Sequence, residues 1–362
     1  DEETFSSSKI INNNFAFNTE QKKFLNQISK KYSFETIYKI FKKVSNLNVL
    51  VIGETIIDQY NFCEALGKSG KEPYLALKDI NSENYLGGAA AIANHIADFT
   101  KKIKLISIIG EKSEYKNFIK NKLNKKIQST FFKKKNSPTI LKKRFIDSVT
   151  KNKLFGIYSI NDEEQPIEED LKITQYINKN LTKFDVIIIS DYGHGFISNK
   201  TAKNISSTKK FIALNAQVNA SNIGYHTLQK YNNVDALIIN ETELRHEMRN
   251  KNEEIKSLSQ KLFKKIKSDN LVVTRGKYGA LLINKDKKII FESPAFANNV
   301  VDKVGAGDAM LSIISLLLKV GVPKDLTLLL GSFAGAFSVE TIANSVSLKK
   351  NKFLRYLEFS LK

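Results

Sequence analysis

The sequence predicts an α/β protein of three layers, α/β/α, in which a mostly parallel sheet is covered by helices on both faces and carries a small β lid. Short continuous runs of Val, Ile and Leu alternate with helical patterns from residue 48 onwards, as is typical of parallel strands buried on both faces. Polar or glycine-rich turns follow these runs, where the strands of such a sheet open into one crevice. A more polar β pattern at 74–80, continued near Tyr85, interrupts the alternation and predicts the lid.

Before the first strand lie a polar tail and a helical segment. Residues 1–17 are rich in Asn and Ser and show no periodicity. In residues 18–46 the apolar side chains recur at helical spacing, which predicts a linker of two helices. Residues 47–362, with the lid near 59–86, contain no internal repeat or low-complexity linker. One large domain is therefore predicted for this part of the chain.

The later elements are predicted in order, each from its own pattern. Helical spacing predicts helices at 88–99, 114–123 and around 171–181. Apolar β runs predict strands at 49–52, 103–109, 139–146, 153–159, 186–190, 211–215, 236–239 and 271–274. Two further runs, at 280–284 and 287–292, predict a hairpin near the sheet edge.

Composition argues against several classes of protein. The net charge is +20, but 52 of the basic residues are Lys and only five are Arg, the side chain preferred for base and bidentate phosphate contacts. The Lys residues are dispersed over the whole chain, so nucleic acid is not the expected partner. Cys63 is the only cysteine, the four histidines lack metal-ligand spacing, and no membrane span or signal peptide is found. A cytoplasmic protein without disulfides is expected.

The stretch at 302–308 opens a helix that is apolar on nearly every face, and a helix of that kind is buried between layers. Its turn contains Gly305, Ala306 and Gly307, whose N–H groups and helix dipole favour an anion, most often a phosphate. Asp308 follows in the first helical turn, where a carboxylate is well placed to take a proton from a hydroxyl group that attacks the phosphate. The alternative is a plain glycine-rich turn in which Asp308 only stabilises the helix.

Further marked residues follow other predicted strands. They are Asp58 after the first strand, Gly87 and Gly88 at the start of a helix, residues 191–195, Asn240 with Glu243, and residues 274–279. Each signal alone is weak and is more often a turn. Their succession at the ends of consecutive strands favours one ligand-binding crevice.

With these residues the chain resembles ribokinase-like sugar kinases of the PfkB family over nearly all of 48–345. The resemblance rests on Asp58, Gly87–Gly88, the N-x-x-E motif at 240–243, residues 274–279 and the motif at 302–308. Within the family the chain is most similar to the kinase part of bifunctional heptose-type kinase/nucleotidyltransferases. Residues 189–193, and Pro138-Thr139 followed by Lys142 and Arg144, account for that closer match.

The resemblance implies an ATP- and Mg²⁺-dependent kinase acting on a sugar or sugar phosphate, with a heptose phosphate favoured. Asp308 would be the base, and residues 305–307 would donate N–H bonds to the transferred phosphoryl group. Asn240 and Glu243 would hold Mg²⁺ through water. The remaining roles implied are ATP binding by Thr274, Gly276, Gly279 and Asn344 (the last beside the adenine), and sugar binding by Asp58, Gly87, Gly88 and Asp191. The alternatives are an N-cap for Asn240, an exposed helix charge for Glu243 and a turn for Gly276.

Three departures from the family pattern concern the sugar side. Ala91 and Ile92 stand where heptose-type kinases have an Asn after the Gly-Gly pair, His194 replaces a usual Lys, and residues 215–217 read Asn-Ala-Gln in place of Asp-Pro-Lys. None of these changes alters the base or the anion-binding turn. Phosphoryl transfer is therefore expected, whereas the sugar, the hydroxyl phosphorylated and the pathway are not identified.

A substrate that already carries a phosphate is also expected. Lys68 and Lys71 lie in a Gly- and Ser-containing stretch at 67–73 suited to an anion, and Lys142 and Arg144 face the same pocket by the resemblance. The alternative is a solvated charged loop. Lids of related kinases often pair between subunits, so a homodimer through the lid is expected.

Residues 3–10 resemble the closing Ser/Thr-rich motif of cytidylyltransferase-like domains, which suggests a nucleotidyltransferase fused upstream and is testable by reading the full frame. The alternative is a frayed polar terminus. For the chain as a whole, the alternative to a kinase is a non-catalytic nucleotide-binding protein on the same fold. Retention of Asp308 and Glu243 argues against that alternative.

Overall fold

A computed structural model describes residues 17–218, 221–223, 225, 227–285 and 290–362. The predicted motif at 3–10, nearly all of the 1–17 tail and the turn of the predicted hairpin lie outside these residues. In the described part of the chain no helix combines the length and the apolar character needed to cross a membrane.

The elements are numbered here in chain order. The helices are α1 Thr19–Lys31, α2 Phe34–Val44, α3 Gly88–Ile96, α4 Lys116–Lys122, α5 Ile167–Leu181, α6 Asn199–Ser206, α7 Glu241–Met248, α8 Ile255–Lys265, α9 Ala306–Lys319, α10 Lys324–Val339 and α11 Lys350–Ser360. The strands are β1 Asn48–Gly53, β2 Thr55–Lys68, β3 Leu75–Gly87, β4 Lys102–Gly110, β5 Ile127–Lys134, β6 Leu141–Asp147, β7 Lys153–Ser159, β8 Val186–Asp191, β9 Phe211–Ala216, β10 Val234–Asn240, β11 Ser268–Thr274, β12 Ala280–Asn284 and β13 Ile290–Ser293.

Nine strands form the large sheet in the order β13-β12-β11-β10-β9-β8-β1-β4-β5. Seven neighbouring strands, from β11 to β5, run parallel, and β12 and β13 add an antiparallel edge. The predicted three-layer α/β/α architecture with a mostly parallel sheet is confirmed. Strand β5 was not predicted, because its polar sequence at 127–134 lacks a continuous apolar run. Strand β2 was not predicted as a strand either and was covered only by the lid region near 59–86.

Alternate residues of each central strand belong to two separate cores. Val49 and Val51 of β1 pack into the core that contains α3, α9 and α10, whereas Leu50 and Ile52 pack into the core beneath α5, α6, α7 and α8. Successive side chains of a strand point to opposite faces. The continuous apolar runs in the sequence are therefore explained by burial on both sides.

Helix α9 is enclosed by protein along its length, as its apolar sequence predicts. Its residues 309–318 are all buried, and it packs between the sheet and helices α3 and α10. Helix α10 approaches α9 closely because it carries Gly331 opposite Ile314 of α9. A Cβ atom added to Gly331 would lie 2.5 Å from the Ile314 side chain. The N-terminus of α9 is thereby held at the carboxyl ends of the parallel strands.

The small sheet has the order β3-β2-β6-β7 and is larger than the stretch predicted for the lid. Strand β2 pairs antiparallel with β3 and parallel with β6, and β7 extends the sheet beyond β6. The sequence predicts β6 and β7 as strands but does not assign them to the lid, because the β2–β6 pairing joins segments about 80 residues apart.

The predicted helical linker packs directly on the large domain. The Asn18 and Gln21 side chains form a capping box at the start of α1, and the Gln21 Nε2 donates to the carbonyl of Ala295 at 2.6 Å. In α2, the Phe41 ring contacts the rings of Phe99 and Phe353. These helices therefore extend the core on the α9 side of the sheet.

Candidate active site

The turn that precedes α9 is open to the crevice at the strand ends. Gly305 is the N-cap of α9 and adopts a left-handed backbone with φ of +95°, which favours glycine. A Cβ atom on Gly305 would overlap the Asn344 side chain. Residues 305–307 are partly or fully exposed, and the first N–H groups of a helix have no partner within it. The turn therefore offers several donors and the positive end of the helix dipole to an anion.

The Asp308 carboxylate lies beside these donors and is half-buried. The Tyr192 hydroxyl donates a hydrogen bond to the Asp308 Oδ1 at 2.9 Å. The pKa of Asp308 is raised to about 7, mainly by burial and also by the charge of Asp58, while the Tyr192 hydroxyl, the Asn344 amide and the charge of Lys142 oppose the rise. A carboxylate with a pKa near neutrality is suited to general base catalysis.

Asn344 is oriented by a buried histidine. The Nδ1 atom of His95 accepts a hydrogen bond from the Leu348 N–H at 3.2 Å, so its Nε2 carries the proton and donates to the Asn344 Oδ1 at 3.0 Å. Burial lowers the pKa of His95 to about 4, which keeps the ring neutral. The Asn344 Oδ1 that accepts this bond also lies against Gly305, and the Asn344 side chain lowers the pKa of Asp308.

The Glu54 carboxylate holds the backbone around Tyr192 in place. Its N–H donates to the Glu54 Oε2 at 3.0 Å, and the N–H of His194 donates to the Glu54 Oε1 at 3.2 Å. Glu54 is fully buried at the end of β1, and burial raises its pKa. This carboxylate therefore positions the loop that brings the Tyr192 hydroxyl to Asp308.

On the lid side of the crevice, Asp58 of β2 forms an ion pair with Arg144 of β6, with 2.5 Å between Oδ1 and Nη1. Asp58 is 3% exposed. A Cβ atom on Gly87 would overlap the Asp58 carboxylate, and one on Gly88, whose φ is +62°, would overlap the Glu54 carbonyl. The lack of a side chain at Gly87 leaves room for the Asp58 carboxylate. The lack of one at Gly88 lets the first turn of α3 lie against the Glu54 carbonyl.

Lys142 lies next to this pair and is also buried. It stands opposite Asp58 in the β2–β6 register, and its ammonium group lies 5.6 Å from the centroid of the Tyr192 ring. Burial lowers the pKa of Lys142, and the charge of Asp58 opposes that shift. Within the described ranges, no carboxylate pairs with the Lys142 ammonium at ion-pair distance.

Asn240 and Glu243 form a capping box at the start of α7. The Asn240 Oδ1 accepts the Glu243 N–H and the Glu243 Oε2 accepts the Asn240 N–H, both at 2.8 Å. The N-cap alternative for Asn240 is therefore observed, but it leaves the Glu243 Oε1 uncommitted in this pair. Burial raises the pKa of Glu243 to about 8, and the charge of Asp308 contributes to that shift.

This donor set fits a hydrated Mg²⁺ ion. Mg²⁺ in kinases takes one or two protein oxygen ligands and completes its shell with water and substrate phosphates. The charge of Asp308 raises the pKa of Glu243, and a nearby cation would stabilise both carboxylates in their ionised form. No cluster of three or more His, Cys, Asp or Glu side chains suited to a metal occurs among the described residues.

Thr274 ends β11 directly opposite Asn240 in the parallel register. After it the chain turns through Gly276 and Gly279, and the Arg275 N–H donates to the Gly279 carbonyl at 2.7 Å. Gly276 is exposed, whereas a Cβ atom on Gly279, with φ of +79°, would overlap the Ser293 carbonyl. Thr274 therefore lies at the same edge of the sheet as Asn240, and the role of these residues in ATP binding stays a prediction.

Four predicted contacts do not fit the observed positions. Asp191 is 1% exposed, and its carboxylate accepts from Tyr231, Lys230 and the Gly193 N–H, so it supports its loop and does not face a sugar. Lys68 and Lys71 are exposed at the tip of the β2–β3 hairpin. Lys68 lies ten residues beyond Asp58 along β2, roughly 30 Å for an extended strand, and therefore cannot share its pocket.

The fourth correction concerns Asn344. Its contact with Gly305 places it at the turn predicted to hold the transferred phosphoryl group. The base of ATP lies at the opposite end of that molecule, so Asn344 cannot contact the adenine if residues 305–307 hold that group.

The sequence assigned no role to three residues of this site: Tyr192, which lies in the marked stretch at 191–195, Glu54 and His95. Tyr192 and Glu54 follow strands β8 and β1, so their position in the chain was the available signal. His95 carried no local signal, because its contact with Asn344 joins residues 249 positions apart.

His194, the replacement for a usual Lys, is also buried at the site. Its Nδ1 lies 2.5 Å from the Asp162 Oδ1, and its carbonyl accepts a hydrogen bond from the Lys134 Nζ at 2.9 Å. The same ammonium group donates to the carbonyls of Asn161 and Glu163. Lys134 thus joins the loop at 161–163 to the loop that carries Tyr192.

Comparisons with known proteins identify the family and the fold. The family model described as pfkB family carbohydrate kinase matches residues 46–351. The bifunctional protein HldE of Campylobacter jejuni subsp. doylei is 26% identical over 319 residues, covering 87% of this chain and 66% of that protein. The HldE of Koribacter versatilis is 23% identical over 302 residues, covering 82% of this chain and 60% of that protein. The chain thus spans less than two thirds of the length of these relatives.

Solved structures support the same fold. A putative ribokinase from Agrobacterium tumefaciens superposes with a TM-score of 0.69 at 14% identity, covering 88% of this chain and 99% of that one. An Arabidopsis thaliana ribokinase, solved with ribose and ATP, superposes with a TM-score of 0.65 at 18% identity, covering 87% and 99%. At such identities the likeness concerns the fold alone.

Proposed function

This chain belongs to the pfkB family of carbohydrate kinases, and we propose from that premise that it transfers the terminal phosphoryl group of ATP to a hydroxyl group of a sugar or sugar phosphate. The observation that carries this proposal is the position of Asp308. Its carboxylate lies in the first turn of α9, beside the N–H groups of residues 305–307. The charge of Asp58 raises the pKa of Asp308, and the charge of Asp308 raises the pKa of Glu243. A base, an anion site and a polar pocket thus meet at one point.

In the proposed reaction, the Asp308 carboxylate takes the proton of the sugar hydroxyl as its oxygen attacks the terminal phosphorus. A new bond forms between that oxygen and phosphorus while the bond to the leaving ADP oxygen breaks. The N–H groups of residues 305–307 stabilise the charge on the transferred group. Asn240 and Glu243 would hold Mg²⁺ through water, and the bound ion would neutralise phosphate charge. Asn344 and Tyr192 act by orienting the turn and the base.

The alternative of a non-catalytic nucleotide-binding protein is less well supported. A binding protein has no need for a carboxylate whose pKa is raised to about 7 beside an anion site. The hydrogen bond from Tyr192 and the proximity of Asn344 both orient Asp308 towards a reaction.

The finer proposal is that the substrate already carries a phosphate, with a heptose phosphate favoured. The support is the buried Lys142 ammonium, which lies near Asp58 without forming an ion pair among the described residues. A buried charge is costly unless an opposite charge approaches it. A phosphate group on the sugar would supply that charge, with Arg144 as the second cation of the pocket.

We expect a sugar phosphate to be a much better substrate than the corresponding free sugar. Replacing Lys142 by Met should raise KM for the sugar phosphate by up to about a hundredfold with little change in KM for ATP, because a hydrogen bond to a charged group contributes about 1.5–3 kcal/mol. The measurement is ATP consumption against a panel of sugars and sugar phosphates, with heptose phosphates included.

Lys71→Ala is the matched control, because Lys71 is exposed at the lid tip and should leave both KM values unchanged. Equal rates with a free sugar and its phosphate, together with an unaltered KM in Lys142→Met, would contradict the phosphate proposal. Consumption of ATP with no member of the panel would contradict the kinase itself.

A homodimer through the lid is proposed as well. The lid exposes a group of large apolar side chains: Leu66, Tyr74, Leu75, Ile80, Phe155 and Ile157. Exposed apolar side chains on one small sheet favour an interface with a second copy. Sedimentation at micromolar concentration should give about twice the chain mass of 40.9 kDa, and a monomer throughout would refute the pairing.

A further inference from the structure

The carboxylate of Asp302 joins the lid to the phosphoryl-binding turn. Its Oδ1 accepts from the Lys153 Nζ at 2.5 Å and from the Val304 N–H at 3.1 Å. Its Oδ2 accepts from the Tyr60 hydroxyl and, at 3.0 Å, from the Ala343 N–H. Asp302 is 5% exposed, so these four donors replace water as its partners.

The four donors come from two separate parts of the fold. Tyr60 lies on β2 and Lys153 begins β7, so both belong to the small sheet. Val304 directly precedes Gly305, and Ala343 directly precedes Asn344. The Asp302 carboxylate thus receives two bonds from the lid and two from the backbone segments that shape the anion-binding turn.

A buried carboxylate makes this junction sensitive to the position of the lid. If the lid moved away, Asp302 would lose its only cationic partner among the described residues and its one hydroxyl donor. A buried carboxylate that loses its partners is strongly destabilised. The turn residues would then have to reorganise around the unpaired charge or admit water.

Tyr60 also connects the junction to the sugar side. Its ring lies between the Arg144 guanidinium at 5.6 Å and the Lys153 ammonium at 5.5 Å. Arg144 forms the ion pair with Asp58 in the pocket. A continuous set of contacts therefore leads from the pocket through Tyr60 to Asp302 and the turn.

We propose that Lys153, acting through Asp302, is a positioning residue that fixes the phosphoryl-binding turn in its working geometry only while the lid is docked. This inference rests on the proposed kinase function for its effect on turnover. Lys153 contacts neither the turn nor Asp308 in the observed structure, so its effect is transmitted by the Asp302 carboxylate.

Lys153→Met removes the charge and keeps most of the side-chain volume. We expect kcat to fall about 10- to 100-fold, the worth of a charge-assisted hydrogen bond, while KM for ATP changes little. Lys153→Arg should restore most of the activity, because it keeps a cation within reach of Asp302. Lys151→Met is the matched control: Lys151 is on the same lid and lies over the Phe62 ring, away from Asp302.

Amide hydrogen exchange gives a readout that does not depend on activity. In Lys153→Met, the amides of Val304 and Ala343 should exchange faster than in the parent protein, and in Lys151→Met they should not. Faster exchange in a protein that phosphorylates no sugar would uphold the lid junction and refute the kinase proposal. Unchanged kcat and unchanged exchange in Lys153→Met would overturn the inference, as would a loss that Lys153→Arg does not restore in a folded protein.

Discussion

Replacing Asp308 by Asn should lower kcat by about 10²–10⁴, the usual contribution of a general base, while ATP affinity stays nearly intact. The amide keeps the shape of the side chain but cannot take the proton of the attacking hydroxyl. The N–H groups of residues 305–307, which are expected to bind the phosphate, are unchanged. Steady-state rates and ATP titration measure the two effects separately, and a variant that keeps the parental kcat would refute the assignment.

The same substitution should increase stability above neutral pH. The folded-state pKa of Asp308 is raised to about 7 from an ordinary value of 3.8, so the folded protein holds a proton that the unfolded chain has lost. That contribution to stability is present at low pH and is lost as the pH rises towards 7. At pH 8 the neutral Asn avoids the buried charge, and Asp308→Asn should have a higher Tm than the parent. A lower Tm would instead indicate that the loss of activity reflects damage to the fold.

The pH profile provides a further check on the base. Because Asp308 must be ionised to accept a proton, kcat/KM should rise with pH through about 7 and then level off. In Asp308→Asn the residual activity should lack this rise. An identical rise in the variant would show that another group is responsible.

Replacing Gly305 by Ala should lower kcat by about 10²–10³, comparable to the loss of one oxyanion donor. The added methyl group would overlap the Asn344 side chain and would require a left-handed backbone that Ala rarely adopts. Either Asn344 or the turn must move, and in both cases the donors shift from the position of the transferred group. Steady-state kinetics should place the loss mainly in kcat.

Gly321→Ala is the control for backbone strain at the other end of the same helix. Gly321 has φ of +75°, but no other group lies within 4 Å of its added Cβ atom. The Gly321→Ala substitution should lower the free energy of unfolding by about 1–2 kcal/mol and leave kcat unchanged. If Gly305→Ala behaves in the same way, the turn does not hold the reacting group.

Local sequence signals predicted those parts of the site that depend on neighbouring residues. The turn at 305–307, Asp308 and the buried helix α9 are contiguous in the chain, and Asn240 and Thr274 each end a strand with a clear apolar run. The parallel register then brings the strand ends together. For these residues, the fold class was enough to predict proximity.

The expectations that were wrong depend on where a side chain points, or on contacts between residues far apart in the sequence. Asp191 directly follows a predicted strand, but only the fold reveals that Lys230 and Tyr231 bind its carboxylate. Lys71 was expected to bind an anionic substrate, because the sequence does not reveal that β2 runs for 14 residues before its hairpin turns. The β2–β6 pairing likewise placed Lys142 and Arg144 in the pocket and Lys71 outside it.

The close crossing of α9 and α10 has a consequence for the mechanical behaviour of the site. Gly331 brings the two helices together at Ile314, about two turns from Asp308, and the sheet holds the opposite side of α9. A helix clamped on both sides moves as a rigid rod, so a displacement at the crossing reaches its N-terminus nearly undiminished. The alignment of the base is therefore set partly by the spacing of two apolar helices, about two helical turns away from the candidate site.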